Sequence, residues 1–270
     1  MWWDWKTPFN GTVQHNEKVF NLMSPILDGA RAYFSARIHI DQSDSFRSVK
    51  GRPVMLCCHP HGILGYAVLS NFGISGGIIL VNSPIHVLTL DTHFCIPLWR
   101  DFCLAMGVAS VGRNSIKNLL NAGKDIAVVL GGARESLDAT PGNMILSIKK
   151  RKGFFRIALQ EGAAIVPVVS FGETELFKQI HHPTLRRVQE SLLSWLSFAL
   201  PVFWGRFGIF PAPIPLTSVV GAPLIIEKTV SYPSREDIEK LQELYVERIV
   251  DLHKRYNHLS PLVSSTLTIK

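Results

Sequence analysis

The chain has 270 residues and a mass of 30.1 kDa, a length that fits one large domain better than two small ones. Hydrophobic residues make up 47% of it and charged residues 18%, a composition that excludes a disordered tail or a low-complexity protein. Because a globular domain usually carries about 25% charged residues, this shortage indicates a protein that touches a membrane or an oily ligand. The net charge of +7 favours polyanions such as nucleic acid, anionic lipid headgroups or a phosphorylated cofactor.

The first 49 residues form an aromatic and amphipathic N-terminal region. This region lacks the continuous apolar stretch of a signal peptide, but it holds three closely spaced tryptophans, Trp2, Trp3 and Trp5. Two interpretations of these tryptophans stand side by side: they sit at a membrane interface, or they cover a groove on the core.

The four cysteines predict reduced thiols rather than a disulfide framework. Cys57 and Cys58 are adjacent in sequence, and neither Cys95 nor Cys103 completes a CxxC pair. Disulfides are rare in the reducing cytosol, and a chain of this length folds without such staples. We therefore expect the chain to face the cytosol.

A strongly apolar predicted strand over residues 53–58 ends in the sequence His59-Pro60-His61-Gly62. Functional groups of open α/β sheets gather beyond the carboxyl ends of the strands, so this position puts two imidazoles in the expected crevice. Pro60 favours an extended His59, and Gly62 permits a sharp exit. Three interpretations compete: a general base, a His-x-His metal pair, or two histidines that cap a turn. The backbone constraints favour a function.

Residues 53–90 contain no Asp, Glu, Lys or Arg, and residues 62–81 within them are long enough to span a bilayer. Five glycines interrupt this stretch, however, and Asn71 and Ser75 would need polar partners in lipid. A buried strand–helix–strand unit is the better interpretation. The G-x-S-x-G pattern at residues 73–77 is a chance match to serine hydrolases, because the predicted strand follows the serine instead of preceding it.

Strand-like and helix-like stretches alternate along the chain. Strands are predicted at residues 53–58, 77–81, 125–130 and 165–170, and helices at residues 115–122, at residues 153–161 and from Ser234 onwards. Ser234 is the expected N-cap of the last helix, with Asp237 at its third position. Strands that are apolar on both faces and alternate with helices predict one α/β domain, with a mixed, mostly parallel sheet covered by helices.

A second motif, GGARES, starts at Gly131, where the predicted strand at residues 125–130 ends. Gly131 and Gly132 permit a tight turn whose N–H groups can bind an anion. Glu135 follows this turn and is placed to reach a histidine at a neighbouring strand end, where a carboxylate would fix the imidazole tautomer. The alternative is a turn with a solvated pair of Arg134 and Glu135. The expected proximity of this motif to the two histidines favours a function over a solvated turn.

A basic cluster, KKRK at residues 149–152, precedes an apolar helix that starts at Gly153. Such a cluster can bind phosphates at a helix start, lie on anionic lipid, or be an ordinary solvated charge run. The basic charge has no interleaved aromatic pattern or nucleic-acid-binding motif, so nucleic acid is not an expected partner. The sequence also has no phosphate-binding loop, no dinucleotide fingerprint and no zinc-type spacing of Cys and His.

Two further apolar stretches lie in the last third of the chain. Residues 191–204 are apolar almost all round but too short to span a bilayer comfortably, so they predict a core helix or a helix in the membrane surface. Residues 207–226 hold four prolines and cannot form a spanning helix.

Five ordered blocks resemble the type-2 acyl-CoA:diacylglycerol acyltransferase family, which includes mono- and diacylglycerol acyltransferases and wax synthases. They are His59-Pro60-His61-Gly62 with Asn71-Phe72 downstream, residues 131–137 (GGARESL), 151–159 (RKGFFRIAL), 166–173 (VPVVSFGE) and 219–223 (VVGAP). The resemblance covers roughly residues 50–257. It implies an acyltransferase-like domain over these residues, after the N-terminal region 1–49 and before a C-terminal tail, 258–270.

The family resemblance implies an enzyme that transfers a fatty acyl group from acyl-CoA to diacylglycerol, forming triacylglycerol. Monoacylglycerol and long-chain alcohols are alternative acceptors, and a His-x-His metal hydrolase and a non-catalytic lipid-binding protein are the competing functions. The implied partners are acyl-CoA as co-substrate, a neutral lipid alcohol and a membrane or lipid-droplet surface. No further cofactor or metal is expected. The implied location is the cytosolic face of the endoplasmic reticulum membrane, or a lipid droplet.

Site residues follow from the matched blocks. His61 is the expected base, Glu135 would orient its ring, and His59 would shape the turn as part of the catalytic group. Main-chain N–H groups near Gly131 and Gly132 would hold the oxyanion, and Arg151 and Lys152 would receive phosphates of CoA. The other expected contacts with substrate are Pro60, Gly62, Asn71, Phe72, Arg134 and Gly153.

The chain departs from the family pattern at four points, one of which is a short segment between Phe72 and Ile78. Family members usually carry an N-terminal hydrophobic hairpin before the first block, and the first 52 residues hold no comparable segment. Phe207 replaces a glycine that is often seen there. Related glycerol-phosphate acyltransferases place an Asp four residues after the histidine, where this chain has Gly65, which leaves Glu135 as the candidate carboxylate. We therefore expect attachment to one leaflet through residues 192–204 and basic contacts, rather than a multi-pass topology.

Overall fold

The computed structural model describes residues 4–73, 84–196, 199–262 and 264–270. The α-helices are α1 (Thr7–Asn10), α2 (Glu17–Tyr33), α3 (Tyr66–Val68), α4 (Trp99–Ala105), α5 (Arg113–Asn121), α6 (Ala133–Asp138), α7 (Lys152–Glu161), α8 (Pro183–Leu196) and α9 (Arg235–Tyr256). The strands are β1 (Arg37–Ile40), β2 (Val54–His59), β3 (His86–Thr89), β4 (Ala109–Ser110), β5 (Ile126–Val129), β6 (Asn143–Leu146), β7 (Ala164–Phe171), β8 (Lys178–Gln179), β9 (Phe203–Trp204), β10 (Thr217–Val220) and β11 (Thr266–Ile269).

Seven of these strands form one sheet in the order β1-β10-β7-β2-β5-β3-β4. The five strands from β7 to β4 are parallel, whereas β10 runs antiparallel to β7 and is parallel to β1. This confirms the predicted α/β domain with a mixed, mostly parallel sheet. β1 belongs to the N-terminal region, and β11, near the C-terminus, pairs with β6 outside the main sheet.

Both faces of the sheet are covered, because the central strands β2 and β7 are buried along their whole length. Met55 and Cys57 point to the face that α5, α7 and α9 cover, while Leu56 and Cys58 point to the other face. That second face is closed by the 3₁₀ segment Ser43–Val49 and the π-helical turn Leu69–Gly73. The period of two along each strand therefore decides which core a side chain enters.

The predicted last helix is confirmed, with its capping box. The Ser234 side chain accepts a hydrogen bond from the N–H of Asp237, and the Asp237 carboxylate accepts one from the N–H of Ser234. The predicted helix at residues 153–161 corresponds to α7, which ends at Gly162 with a φ of +68°. This left-handed conformation is the one that Gly adopts most readily at a helix C-terminus.

Some expectations concern residues outside the described part of the chain. They are the predicted strand at 77–81, the G-x-S-x-G pattern beyond Gly73, and Trp2 and Trp3. Trp5 is exposed, with the Arg100 guanidinium 5.0 Å from its ring centroid. The stretch predicted at 191–204 begins inside α8 and ends in the short strand β9. Across the residues that the structure describes, no helix is both long enough and apolar enough to cross a membrane.

Candidate active site

The site lies where the parallel strands β2 and β5 end side by side, with Cys58 opposite Val129 in the register. The turn after β2 carries His61, and the turn after β5 leads into α6, whose first turn carries Glu135. The main-chain N–H of His61 donates a hydrogen bond to Glu135 Oε2 at 3.1 Å. The structure thus brings together the two motifs that the sequence predicts to be neighbours.

Glu135 holds the backbone of the turn rather than the imidazole ring. Its Oε2 accepts the N–H of His61, and its Oε1 accepts the N–H of Ser147 at 2.7 Å. Burial raises the pKa of Glu135 to about 7, although these two donors and Arg151 act in the opposite direction. The expectation that Glu135 orients the His61 ring directly is therefore corrected: the carboxylate fixes the main chain from which the ring projects.

The His61 ring is held by its own neighbour, because its Nδ1 lies 3.1 Å from the carbonyl oxygen of Gly62. A carbonyl can only accept, so Nδ1 carries the proton in the neutral ring and Nε2 keeps a free lone pair. Burial lowers the pKa of His61, and the positive charge of Arg151 lowers it as well, while the Gly62 carbonyl raises it. A neutral imidazole with an available Nε2 is the form that a general base needs.

Glu173 is a buried carboxylate for which the sequence alone predicts no role. Its Oε1 accepts the N–H of Tyr66 at 3.1 Å, and its Oε2 accepts the N–H of Ala67 at 2.6 Å, so it caps α3 directly after the histidine turn. Gly62 has a φ of +59°, and a Cβ there would lie 2.5 Å from Glu173 Oε1. Burial raises the pKa of Glu173 to about 8, against the N–H groups that it accepts. The sequence signal that could have identified Glu173 is its position just after β7, because β7 is the second strand that pairs with β2.

His59 lies within the core and not in the open site. Its ring is completely buried, and its Nε2 lies 2.8 Å from the Tyr245 hydroxyl on α9. Burial lowers the pKa of His59 to about 3. It has no exposed surface and joins the end of β2 to α9, and its inclusion with the catalytic residues stays a prediction. Pro60, after a cis peptide bond, continues from this anchor to His61.

Arg151 connects the turn at Gly131 and Gly132, after β5, to the site. Its Nη2 donates to the Gly131 carbonyl oxygen at 2.6 Å, and its charge acts on both His61 and Glu135. A Cβ at position 131 would overlap the carboxyl carbon of Glu135. Position 131 must therefore be a glycine if the carboxylate is to contact His61. Gly132, with a φ of +61°, faces the same guanidinium.

Lys152, Gly153 and Arg134 are arranged differently from Arg151. Lys152 Nζ forms a partly exposed ion pair with Glu239 of α9 at 2.5 Å, and its contact with CoA phosphate stays a prediction. Gly153 and Arg134 are exposed at the surface. Only Arg151 of the expected phosphate contacts therefore lies against the histidine turn.

Asn71 and Phe72 lie in the second core rather than on the substrate side. The Asn71 side-chain amide donates to the Ser218 hydroxyl at 2.8 Å, and Ser218 in turn lies 2.8 Å from the Ser170 hydroxyl. Phe72 packs with the apolar residues behind the sheet. The π-helical turn points both side chains inward, and their contact with substrate stays a prediction.

An apolar cluster borders the histidine turn. It contains Phe34, Ile63, Ala67, Ala139, Leu176, Phe177 and Leu216, with Tyr66 and Phe203 packed against it. Its position next to His61 gives the site an oily wall, as an acyl chain requires. Within the described ranges, no group of three His, Cys, Asp or Glu side chains is close enough to share a metal ion.

The fold belongs to the class seen in a bacterial glycerolipid acyltransferase. The crystal structure of the 1-acyl-sn-glycerophosphate acyltransferase PlsC from Thermotoga maritima matches 88% of this chain and 81% of its own, with a TM-score of 0.53 and 15% identity. A family model described as diacylglycerol acyltransferase matches residues 1–269. The chain belongs to the diacylglycerol acyltransferase family, which confirms the resemblance seen in the five sequence blocks.

Several curated relatives carry acylglycerol acyltransferase names. Diacylglycerol O-acyltransferase 2 from Dictyostelium discoideum is 38% identical over 74% of this chain and 64% of its own length. The bovine 2-acylglycerol O-acyltransferase 1 is 37% identical over 95% of this chain and 78% of its own. Human diacylglycerol O-acyltransferase 2 is 31% identical over 94% of this chain and 67% of its own. The chain thus spans about two thirds to three quarters of these relatives.

Proposed function

We propose that this protein is an O-acyltransferase that moves a fatty acyl group from acyl-CoA to the hydroxyl of diacylglycerol, forming triacylglycerol. The observation that carries the proposal is the His61 ring, whose Nδ1 is held by the Gly62 carbonyl so that Nε2 can accept a proton. Membership of the diacylglycerol acyltransferase family and the names of the relatives support the substrates.

In the proposed reaction, His61 Nε2 removes the proton of the lipid hydroxyl as its oxygen attacks the thioester carbonyl carbon. The new C–O bond forms a tetrahedral intermediate, which collapses as the C–S bond breaks, and the CoA sulfur leaves with the proton from His61. General-base help of this kind usually contributes about 10²–10⁴-fold to the rate. Glu135 and Glu173 position the turn that carries the ring, and they take no proton from the substrate.

Arg151 and the turn at Gly131 and Gly132 supply the proposed anion contacts. The Arg151 guanidinium is oriented by the Gly131 carbonyl and lies near the His61 ring, which favours the negative charge that develops on the thioester oxygen. We assign the main-chain N–H groups of Gly131 and Gly132 to the same oxyanion. The exposed Arg134 and the basic residues 149–150 are available for the phosphates of CoA.

Monoacylglycerol is the second candidate acceptor. The bovine relative named 2-acylglycerol O-acyltransferase 1 is 37% identical over 95% of this chain, whereas human diacylglycerol O-acyltransferase 2 is 31% identical over 94%. Both acceptors are neutral lipids that live in membranes. We therefore propose that the protein works at the cytosolic face of the endoplasmic reticulum membrane or on lipid droplets, with acyl-CoA as its soluble co-substrate and without a metal or a further cofactor.

The test is incubation of the purified protein with radiolabelled acyl-CoA and detergent-dispersed diacylglycerol, monoacylglycerol or a long-chain alcohol. We expect triacylglycerol as the main product, and a loss of at least about 10²-fold in turnover for His61→Ala. A chelator should leave the activity unchanged. Equal activity of wild type and His61→Ala, or a requirement for added zinc, would contradict the proposal; a preference for monoacylglycerol would move the assignment to the second acceptor.

A further inference from the structure

A short aromatic turn at residues 203–210 projects from the apolar wall of the site. β9 pairs antiparallel with β8, and the chain then reverses at Gly205 and Gly208, whose main chains exchange hydrogen bonds of 3.0 and 3.3 Å. Gly205 lies so close to Phe210 that a Cβ would overlap the carbonyl oxygen of Phe210. The turn is therefore a built feature with a defined tip, which holds Arg206 and Phe207.

The side chains of the aromatic turn face solvent although they are apolar. Phe207 is 83% exposed, Ile209 77% and Phe210 58%, and Trp204 is partly exposed beside them. Phe207 also has a φ of +52°, a conformation that a bulky residue seldom adopts. Such a group of large apolar side chains at one protruding tip marks an interaction surface, whereas single exposed apolar residues do not.

The charge around the aromatic turn identifies the kind of partner. Arg206 lies in the turn with its guanidinium 5.0 Å from the Phe207 ring centroid, and Lys178 of β8 stands opposite Trp204 in the register. Residues 176–216 hold one acidic residue, Glu190, which Arg186 engages at 2.9 Å. Neither Lys178 nor Arg206 has an acidic partner among the described residues. Cations that surround inserted aromatic residues are complementary to a surface with anionic lipid.

The aromatic turn also connects to the site through packed rings. The ring centroids of Phe203 and Phe177 are 4.9 Å apart, and those of Phe177 and Tyr66 are 6.0 Å apart. Tyr66 begins α3, directly after the turn that carries His61. An apolar path therefore leads from the exposed tip to the wall beside the base.

We propose that the aromatic turn inserts into the headgroup region of a membrane that contains anionic lipid, and that this docking presents the mouth of the His61 site to the lipid surface. Phe207, Ile209 and Phe210 enter the apolar boundary, and Lys178 and Arg206 bind headgroup phosphates. The inference rests on the proposed function only for the identity of the lipid that is delivered.

The experiment places an environment-sensitive fluorophore on the tip. Because Cys95 is exposed and the other three cysteines are buried, Cys95→Ser provides the background for Phe207→Cys. The matched controls are Tyr232→Cys, at a 94% exposed position outside the aromatic turn, and Leu22→Cys on α2. The probe surfaces are vesicles of phosphatidylcholine and diacylglycerol, with or without phosphatidylserine. We expect a blue shift at position 207 alone, larger with phosphatidylserine.

A second variant separates docking from chemistry. Phe207→Ser with Ile209→Ser should weaken vesicle binding about tenfold or more and lower activity on vesicle-borne diacylglycerol in step, while activity on detergent-dispersed diacylglycerol is retained. Vesicle binding with no shift at position 207, or a shift at position 22 instead, would overturn the docking surface. A shift at position 207 in a protein with no acyl transfer in detergent would leave the surface standing and contradict the proposed function.

Discussion

A histidine that acts as a general base needs one ring nitrogen held and the other free. In this chain the group that holds Nδ1 is the carbonyl of the next residue, Gly62, rather than a separate carboxylate. The ring position therefore depends on the conformation of the backbone from His61 onward. Two buried carboxylates fix that backbone: Glu135 accepts the N–H of His61, and Glu173 accepts the N–H of Ala67 at the start of α3.

Replacing Glu135 with Gln should lower turnover through the backbone. The carboxylate accepts two N–H groups, from His61 and Ser147, whereas an amide offers one oxygen and turns an NH₂ toward the other donor. A buried donor left without its acceptor costs about 1–3 kcal/mol. We expect turnover to fall about 10–100-fold with little change in the KM for acyl-CoA, measured by steady-state kinetics in detergent.

The double variant His61→Ala, Glu135→Gln tests whether the two residues act as one unit. Its activity should match that of His61→Ala alone, because a misplaced base and a missing base give the same loss. Defects that multiply would show that Glu135 serves the reaction by a route independent of His61.

Replacing Glu173 with Gln should remove part of the pH dependence of stability. The pKa of Glu173 is raised to about 8 in the folded protein, so the folded state holds a proton that the unfolded chain has already released above pH 5. The contribution of Glu173 to stability must then fall as the pH rises through 7 toward 8, by about 1 kcal/mol per pH unit. Buried histidines act in the opposite direction, because burial lowers the pKa of His59 and His61 in the folded protein while an unfolded histidine is still about half protonated at pH 6.5. The difference in stability between wild type and Glu173→Gln therefore isolates the Glu173 contribution, because the histidine contributions cancel.

Chemical unfolding of both proteins at pH 6.5, 7.25 and 8 provides the measurement. The stability of the wild type relative to Glu173→Gln should fall by about 1 kcal/mol per pH unit across this range, since Gln resembles the protonated carboxyl and does not ionise. The control is Glu243→Gln, at an exposed carboxylate of α9, which should keep the slope of the wild type. An unchanged slope in Glu173→Gln would mean that Glu173 is ionised throughout.

At the scale of elements, strand ends are what the sequence predicts best. Two apolar runs that end in HPHG and GGARE must end at one edge if their strands are parallel neighbours, and β2 and β5 are. Which side of the sheet a residue faces is harder to predict. His59 lies on the same face of β2 as Met55 and Cys57, the face that α9 covers. Asn71 lies in a π-helical turn, and no local sequence signal predicts that geometry.

Tyr245 links α9 to the end of β2, and Tyr245→Phe should destabilise the fold more than it affects catalysis. Its hydroxyl lies 2.8 Å from His59 Nε2 and 3.3 Å from the Cys57 carbonyl oxygen, in a completely buried position. Removing it leaves the His59 ring unsatisfied, at a cost of about 1–3 kcal/mol. Thermal unfolding should show the loss, and turnover per folded molecule should stay within about threefold.

Tyr256→Phe is the matched control on the same helix, because its hydroxyl bonds Asp41 in a partly exposed position. It should lower stability less than Tyr245→Phe does. A Tyr245→Phe protein that keeps its stability but loses its activity would instead place His59 in the chemistry.

For the whole molecule, composition and periodicity suffice for the fold class, because apolar strands that alternate with helices have few other solutions. They do not locate the exposed aromatic turn. The sequence predicts residues 192–204 as the attachment segment, and Trp195 within it is 89% exposed. Phe207 and Ile209, in the turn that follows, are 83% and 77% exposed. Exposure depends on how β8 and β9 pair, and strands this short carry no reliable pattern.

An attachment made by basic contacts and an inserted turn should respond to washing in a characteristic way. Salt at 1 M shortens the Debye length to about 3 Å and screens Lys178 and Arg206. It does not weaken the burial of Phe207, Ile209 and Phe210, each worth about 1.5–3 kcal/mol when fully buried. We therefore expect wild-type protein to stay on membranes through a high-salt wash and to be released by alkaline carbonate. The Phe207→Ser, Ile209→Ser protein should leave in high salt alone. Release of the wild type by salt alone would contradict an inserted apolar turn. Retention of the wild type through alkaline carbonate would indicate a membrane-spanning segment.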